Sequence, residues 1–459
     1  MSETKSESPN LTEGPLLGKM LRFCLPLIAT GLLQTLYNAS DMVVVGRFSS
    51  DHAMGAVGAC GSLINLIINA FLGLSVGAGV CIAHEIGAQK HDEIKKTVNT
   101  SLLASIFCGI AVGIIGYFLA DPLLTLMGTP QNVHSEAVPY MKAYFVGIPG
   151  CMVYNFMAAI LRSSGDTKSP LIILTISGIG NIILNLIMVI VFDMGALGVG
   201  IATAASQYIS AFLVVIHMIR MNGPCKIHIS EMKIDKSKLW HITKIGIPAG
   251  FQGVLFSLSN VLIQSSVNAY GDIVVDGNSA ASNIEGFVYI SMNSMYHTVL
   301  TFVGQNVGAG KYERIKKIVF ECVIIVSIIG LTMGISAYIF GDALLSIYAP
   351  SNADVRAAGL VRLSIISTTY FLCGLMDVGC GTLRGMGKST LPMLISLIGS
   401  CVFRIVWIYT ICKLFPGNIR VLYYSYPVSW ILTAGTHFLA SRIVYKKMIA
   451  QRSQQKSVL

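Results

Sequence analysis

Ile86-Gly-Ala-Gln-Lys-His-Asp-Glu-Ile-Lys-Lys96 and Val307-Gly-Ala-Gly-Lys-Tyr-Glu-Arg-Ile-Lys-Lys317 are the same segment written twice, 221 residues apart. Outward from this pair the correspondence continues in order. Pro26 pairs with Pro248, Asn38 with Asn260, Leu161-Arg162 with Leu383-Arg384, Gly165 with Gly387 and Pro170 with Pro392, each at an offset of 222. Asp121-Pro-Leu-Leu pairs with Asp342-Ala-Leu-Leu at 221. A spacing held along the whole chain marks an internal duplication.

The repeated unit is a membrane unit. Of 459 residues, 54% are hydrophobic and only 12% charged, against roughly 25% charged in soluble domains, and the mean hydropathy is +0.69. A soluble enzyme is excluded on these grounds. Apolar stretches at 20-46, 53-82, 97-119, 137-161, 169-191, 197-219, 239-268, 279-305, 318-340, 357-383, 389-412 and 421-445 reach the roughly 20 residues that a spanning helix needs. The expected fold is therefore all-α and polytopic, with 12 transmembrane helices in two six-helix lobes. Six spans per repeat is an even number, so the lobes are parallel and related by a pseudo-twofold axis along the membrane normal, the build of parallel-repeat transporters. The expected boundaries are a flexible cytoplasmic N-terminus at 1-18, an N-lobe at 19-220, a cytoplasmic linker at 221-238, a C-lobe at 239-446 and a cytoplasmic tail at 447-459.

The net charge of +10 reflects topology rather than a nucleic-acid partner. Twenty-five of the 32 Lys and Arg residues fall at the termini and in alternate loops, and the positive-inside rule puts both termini in the cytoplasm. The remaining seven, Arg47, Lys142, Arg356, Arg362, Arg404, Lys413 and Arg420, lie outside or within spans. Arg404 is expected to snorkel outward or to pair with an acid of its own lobe. The eleven cysteines form no CxxC pair and no Cys/His metal spacing. Without a GxxxxGK[ST] loop there is no expected ATP site.

Acidic residues inside spans are costly and mark function. Asp41, Glu285 and Asp377 stand out. On the first span Gln34, Tyr37 or Asn38, and Asp41 recur on one helical stripe, and on the fifth Asn181 and Asn185 are one turn apart. Tyr289 and Met292 continue the Glu285 face, and Asn260, Gln264 and Asn268 form a polar stripe on the seventh span. Pro26 and Pro248 are expected to bend their helices.

The chain resembles the multidrug and toxic compound extrusion (MATE) family through Leu25-Pro26 with Asn38-Ala-Ser-Asp41 and Val45-Gly46-Arg47, through Gly87-Ala88 and Gly308-Ala309, and through Leu161-Arg162-Ser-Ser-Gly165-Asp166. Asn181-Ile-Ile-Leu-Asn185, Met194-Gly-Ala-Leu-Gly-Val-Gly200-Ile-Ala-Thr203 and Leu383-Arg384-Gly385-Met-Gly387 complete the set, which covers Gly18 to Lys447. The resemblance implies a secondary antiporter in a bacterial inner membrane, with no enzymatic activity and no cofactor. It implies export of small amphipathic, cationic molecules in exchange for H+ or Na+, with membrane lipid as the surroundings and a monomeric state. It also implies an N-lobe cation site of Asp41, Asn181, Asn185 and Thr203, to which Gln34 and Asn38 add polar groups.

Relatives usually carry an acid where this chain has Asn185. A site with one carboxylate among amides is neutralised by a single proton, which favours H+ over Na+. In the C-lobe, Asp377 matches a family acid, whereas the seventh-span acid is replaced near Phe256, and Glu285 is the substitute carboxylate. Asn260, Tyr289 and Met292 complete the expected C-lobe set. The alternative is a flippase for lipid-linked saccharides, which would line its cavity with Arg or Lys for a pyrophosphate.

Overall fold

The computed structural model describes residues 11–49 and 51–458, and among them there is no strand. The chain is a multi-pass membrane protein. The first repeat forms α1 (Leu16–Phe48), α2 (Asp51–Gly87), α3 (His91–Leu126), α4 (Gln131–Ser163), α5 (Lys168–Leu186) and α6 (Gly195–Arg220). The second forms α7 (Lys236–Asn268), α8 (Asp272–Gly308), α9 (Glu313–Ile339), the short α10 (Gly341–Tyr348), α11 (Ala353–Ile365), α12 (Tyr370–Gly385), α13 (Thr390–Ser396), α14 (Phe403–Tyr409), α15 (Ile411–Leu414) and α16 (Ile419–Val458).

Among the described residues ten helical stretches are long and apolar enough to cross a membrane. The 37-residue α8 and the 40-residue α16 complete the twelve spans. Their hydropathy is diluted by Asp272, Asp276 and Glu285 in one and by Lys446, Lys447 and Arg452 in the other.

The tenth and eleventh spans, which the sequence reads as single helices, are interrupted. A 3-10 turn at Ser367–Thr369 separates α11 from α12. A π-helical turn at Leu397–Val402 separates α13 from α14, and another, Ile187–Val191, follows α5 directly after Asn185. Such turns cluster at functional positions in helices. The repeat-matched Gly165 and Gly387 sit at φ +100° and +77°, where a side chain would be strained, and each follows the end of its helix so that the next can start.

The chain folds into two compact units whose boundaries fall inside α1 and α7. The first unit runs from Leu25 to Gly250. Its centre is α4, whose spanning window is 72% buried, so Phe145, Ile148, Met152 and Phe156 all lie in the core. The opening part of α7 packs on α2 through two pairs of glycines four residues apart, Gly73 with Gly77 and Gly246 with Gly250. A methyl group on any of the four would overlap the facing helix, so the pairs set a backbone contact of the small-xxx-small kind. Lys238 caps this contact. Its Nζ lies 2.6 Å from both Glu85 Oε1 and Glu93 Oε2, and Thr97 Oγ1 donates to Glu85 at 2.8 Å.

The second unit comprises Leu11–Cys24 and Phe251–Leu459. Here the opening of α1 takes the place that the opening of α7 has in the first unit. Phe23 meets Phe302 edge-on with centroids 5.6 Å apart, and Asn306 Nδ2 donates to the Leu11 carbonyl at 3.3 Å. Lys311 Nζ pairs with Glu13 at 2.8 Å, and Arg314 donates to the Gly14 carbonyl at 3.0 Å. The Lys311 ammonium holds the Glu13 carboxyl below its ordinary pKa. The two clasps occupy matching positions in the repeat, with acids gripping a lysine in one unit and bases gripping an acid in the other.

Candidate functional site

In the first unit the structure brings Asp41 of α1 to the polar turn of α5. Asn185 Nδ2 donates to Asp41 Oδ1 at 2.5 Å and to Asn181 Oδ1 at 3.2 Å. All three residues are buried. The Thr203 hydroxyl of α6 is turned toward the Asp41 carboxylate, and Asn185 Oδ1 is buried without a hydrogen-bond partner. Among the described residues Asp41 has no basic partner. The Asp41 carboxyl group is thus held in an apolar bundle by neutral groups alone, with the Asn185 carboxamide oxygen left over. That arrangement suits a positive charge that comes and goes.

What fixes the register of α1 against α5 is a notch that hydropathy does not reveal. Gly178 leaves room for the Tyr37 ring, whose hydroxyl reaches the Thr175 carbonyl at 3.4 Å. One turn beyond Tyr37 on α1 and two turns beyond Gly178 on α5, Asp41 meets Asn185, which also bonds Asn181. Gly178→Ala drives a methyl group into that ring, and overpacking of this kind costs roughly 1–3 kcal/mol. The expected result is an inserted protein whose transport falls about fivefold or more, recovered when Tyr37→Leu removes the crowded ring edge. Dye efflux from vesicles measures both, and parental efflux by the single variant would show that the notch does not position Asp41.

Gln34 and Asn38, although on the Asp41 stripe by spacing, are exposed and share no hydrogen bond with Asp41. They lie outside the buried cluster.

The second unit is arranged differently from its sequence reading. Glu285 is not a free acid. Arg362 forks onto it, Nε to Oε1 at 3.1 Å and Nη2 to Oε2 at 2.7 Å, while Nη1 donates to Asn278 Oδ1 at 2.6 Å. Asn278 Nδ2 in turn donates to Gln264 Oε1 at 3.0 Å. The guanidinium also lies 5.6 Å from the ring centroids of Tyr423 and Tyr426. A bidentate pair with every arm satisfied is the form in which buried charges are tolerated.

Asp377 is the acid left over. Its Oδ2 is buried with no hydrogen-bond partner, and the carboxylate lies within electrostatic reach of Arg384 as well as of Tyr289 and Tyr296. Tyr289 is 43% exposed. Met292 is fully buried and fills the gap left by Gly330 and Gly374, a packing position rather than a ligand contact. Asn260 is exposed. Phe256 packs with Tyr370, Tyr426 and Trp430 in an apolar cluster.

Arg404 neither snorkels nor meets an acid. It is buried, its Nε donates to Ser429 Oγ at 2.9 Å, and its guanidinium stacks 4.1 Å from the Tyr426 centroid and 5.7 Å from Trp430. Arg384, counted by the sequence among loop cations, is also buried and bonds Tyr296 Oη at 2.5 Å and Gln252 Oε1 at 2.7 Å. Among the described residues the interior of this unit therefore holds three arginines beside the two acids that the sequence singled out. Sequence reasoning left Arg362 unassigned. The signal was available in its apolar neighbours Val361 and Leu363, since a cation in a span requires an acid.

The MatE family profile matches residues 26–187 and 248–410, one match in each repeat. The chain is 25% identical over 435 residues to a "Probable multidrug resistance protein YoeA" of Bacillus subtilis (strain 168), covering 93% of this chain and 94% of that one. It is 28% identical over 396 residues to a "Probable multidrug resistance protein YpnP" of the same organism, covering 86% and 88%. The fold is that of a solved multidrug resistance MATE family transporter of the MOP superfamily in an outward-facing conformation. The TM-score there is 0.90 at 19% identity, over 98% of this chain and all of that one.

Proposed function

The chain belongs to the MatE family, and from that premise we propose that it is a secondary antiporter of a bacterial inner membrane, exporting amphipathic, cationic compounds in exchange for protons by alternating access. The observation that carries the reading is the buried Asp41 carboxylate, held by Asn185 and, among the described residues, accompanied by no base. One proton neutralises it. The hydrogen bond then reverses: Asp41 becomes a donor, and the acceptor it needs is Asn185 Oδ1, which is unpartnered in the ionised arrangement. Turning the Asn185 amide to present that oxygen breaks its bond to Asn181. Proton binding is thereby converted into a change in the contact between α1 and α5.

Sodium is the second reading, favoured by the oxygen atoms of the same cluster. Asn185 Oδ1, Thr203 Oγ1 and the carboxylate supply the oxygen ligands that a hard cation requires. Dye efflux from proteoliposomes under an imposed pH gradient, compared with an imposed sodium gradient, separates the two. The expected result is efflux driven by the pH gradient in sodium-free buffer. Efflux driven by sodium alone overturns the proton reading.

For cargo, Asp377, whose Oδ2 carries no hydrogen bond, beside the exposed Tyr289 supports a cationic amphiphile, carboxylate against charge and ring against its flat body. The three buried arginines favour the lipid-linked saccharide flippase by number. Each is engaged within the unit, however: Arg362 by Glu285, Arg384 by Tyr296 and Gln252, Arg404 by Ser429 and two rings. Arginines held in this way stiffen the unit rather than receive a pyrophosphate.

A further inference from the structure

Where α9, α12 and α16 meet in the second unit, an open groove of about 540 Å³ lies outside the sites described above. Its walls are apolar, with Phe320, Met386 and Phe438 among them, and Lys316 and Arg442 stand on its edge. Three features set it apart from ordinary membrane-facing surface.

The first is a spare polar atom. Ser441 lines the groove, is 8% exposed, and its Oγ is buried without a hydrogen-bond partner. The second is unpaired charge. Lys316 and Arg442 are both exposed, and among the described residues neither has an acidic partner, although Lys316 rests on the Tyr445 ring 5.1 Å from its centroid. The third is continuity with apolar surface that a membrane covers. Phe320, Ile324 and Ile328 on α9 and Leu432 and Leu439 on α16 are all exposed.

We infer that the groove seats an anionic phospholipid. An acyl chain lies along the apolar walls, and the phosphodiester sits between Lys316 and Arg442, with Ser441 Oγ donating to one of its oxygens. Both cations come at the basic end of the unit, close to Lys311, Arg314, Lys317, Lys446 and Lys447. The lipid therefore belongs to the leaflet at that end, where anionic headgroups are attracted by juxtamembrane cations. The site is independent of which ion drives transport.

Mass spectrometry of intact protein–lipid complexes tests this on the purified full-length chain, titrated with phosphatidylglycerol, phosphatidylcholine of the same acyl chains, and inorganic phosphate. One phosphatidylglycerol is expected to be retained in clear preference to phosphatidylcholine. Lys316→Ala with Arg442→Ala should cut that preference by roughly tenfold to thirtyfold, the worth of two surface cations. Ser441→Leu, which fills the groove, should lower retention of both lipids. Lys317→Ala with Lys446→Ala, which removes two nearby cations outside the groove, should leave the preference as it was. The inference is overturned if the parent shows no preference, or if this control pair lowers it as much as the groove pair does. Displacement of the lipid by inorganic phosphate overturns it as well, since the site would then take free anions.

Discussion

Asp41→Asn is expected to abolish export while the protein still inserts and folds. The substitution keeps size and shape, and an amide at position 41 still bonds the Asn185 amide, so its cost in stability should stay within the usual range for a conservative change, about 1 kcal/mol or less. What disappears is the ability to gain and lose a charge. Without it the contact between α1 and α5 has one state instead of two, and a gradient has nothing to act on. Uptake of a cationic dye into energised inverted vesicles, normalised to protein content, should fall at least tenfold. Asp41→Glu retains a titratable carboxyl and should keep part of the activity. Normal export by Asp41→Asn would remove the first unit from the coupling mechanism altogether.

The largest expected effect on stability lies in the second unit. Arg362→Met strands the Glu285 carboxylate, 3% exposed, with the only charged partner it has among the described residues gone. Breaking a buried pair from one side costs roughly 3–5 kcal/mol, because the remaining charge is left desolvated and unpaired. Replacing both members, Arg362→Met with Glu285→Met, should recover most of the loss, since an apolar pair of similar volume does not pay that penalty. Thermal unfolding of the detergent-solubilised protein measures both. A single variant that unfolds at the parental midpoint would show the pair to be dispensable, and would return Glu285 to the list of free acids.

These two sites also show how far the sequence reaches. The duplication, with Gly165 paired to Gly387, and the twelve spans were legible, because each depends on residues near one another in the chain or on a fixed offset. Asp41, Asn181 and Asn185 stand out one by one for a related reason, since polar groups in apolar helices are few and two of them are one turn apart, but their grouping in one site came from the family resemblance. Gln34 and Asn38 share that spacing with Asp41, yet the direction in which α1 faces α5 is decided by the Tyr37 ring in the Gly178 notch. A glycine opposite a tyrosine 141 positions earlier leaves no local trace. The same limit hid the pairing of Glu285 with Arg362, 77 residues apart, and the gap between Gly330 and Gly374 that makes Met292 a packing residue.

The clasp on the opening of α1 has a consequence in time. Leu11–Cys24 is made well before the residues that hold it, for Phe302, Asn306 and Lys311 lie about 300 positions further on (311 − 11). At roughly 5–20 residues per second of synthesis, that segment waits about 15–60 s for its partners. The opening of α1 thus reaches the bilayer long before it is fastened, and a chain that stops after Arg220 never fastens it.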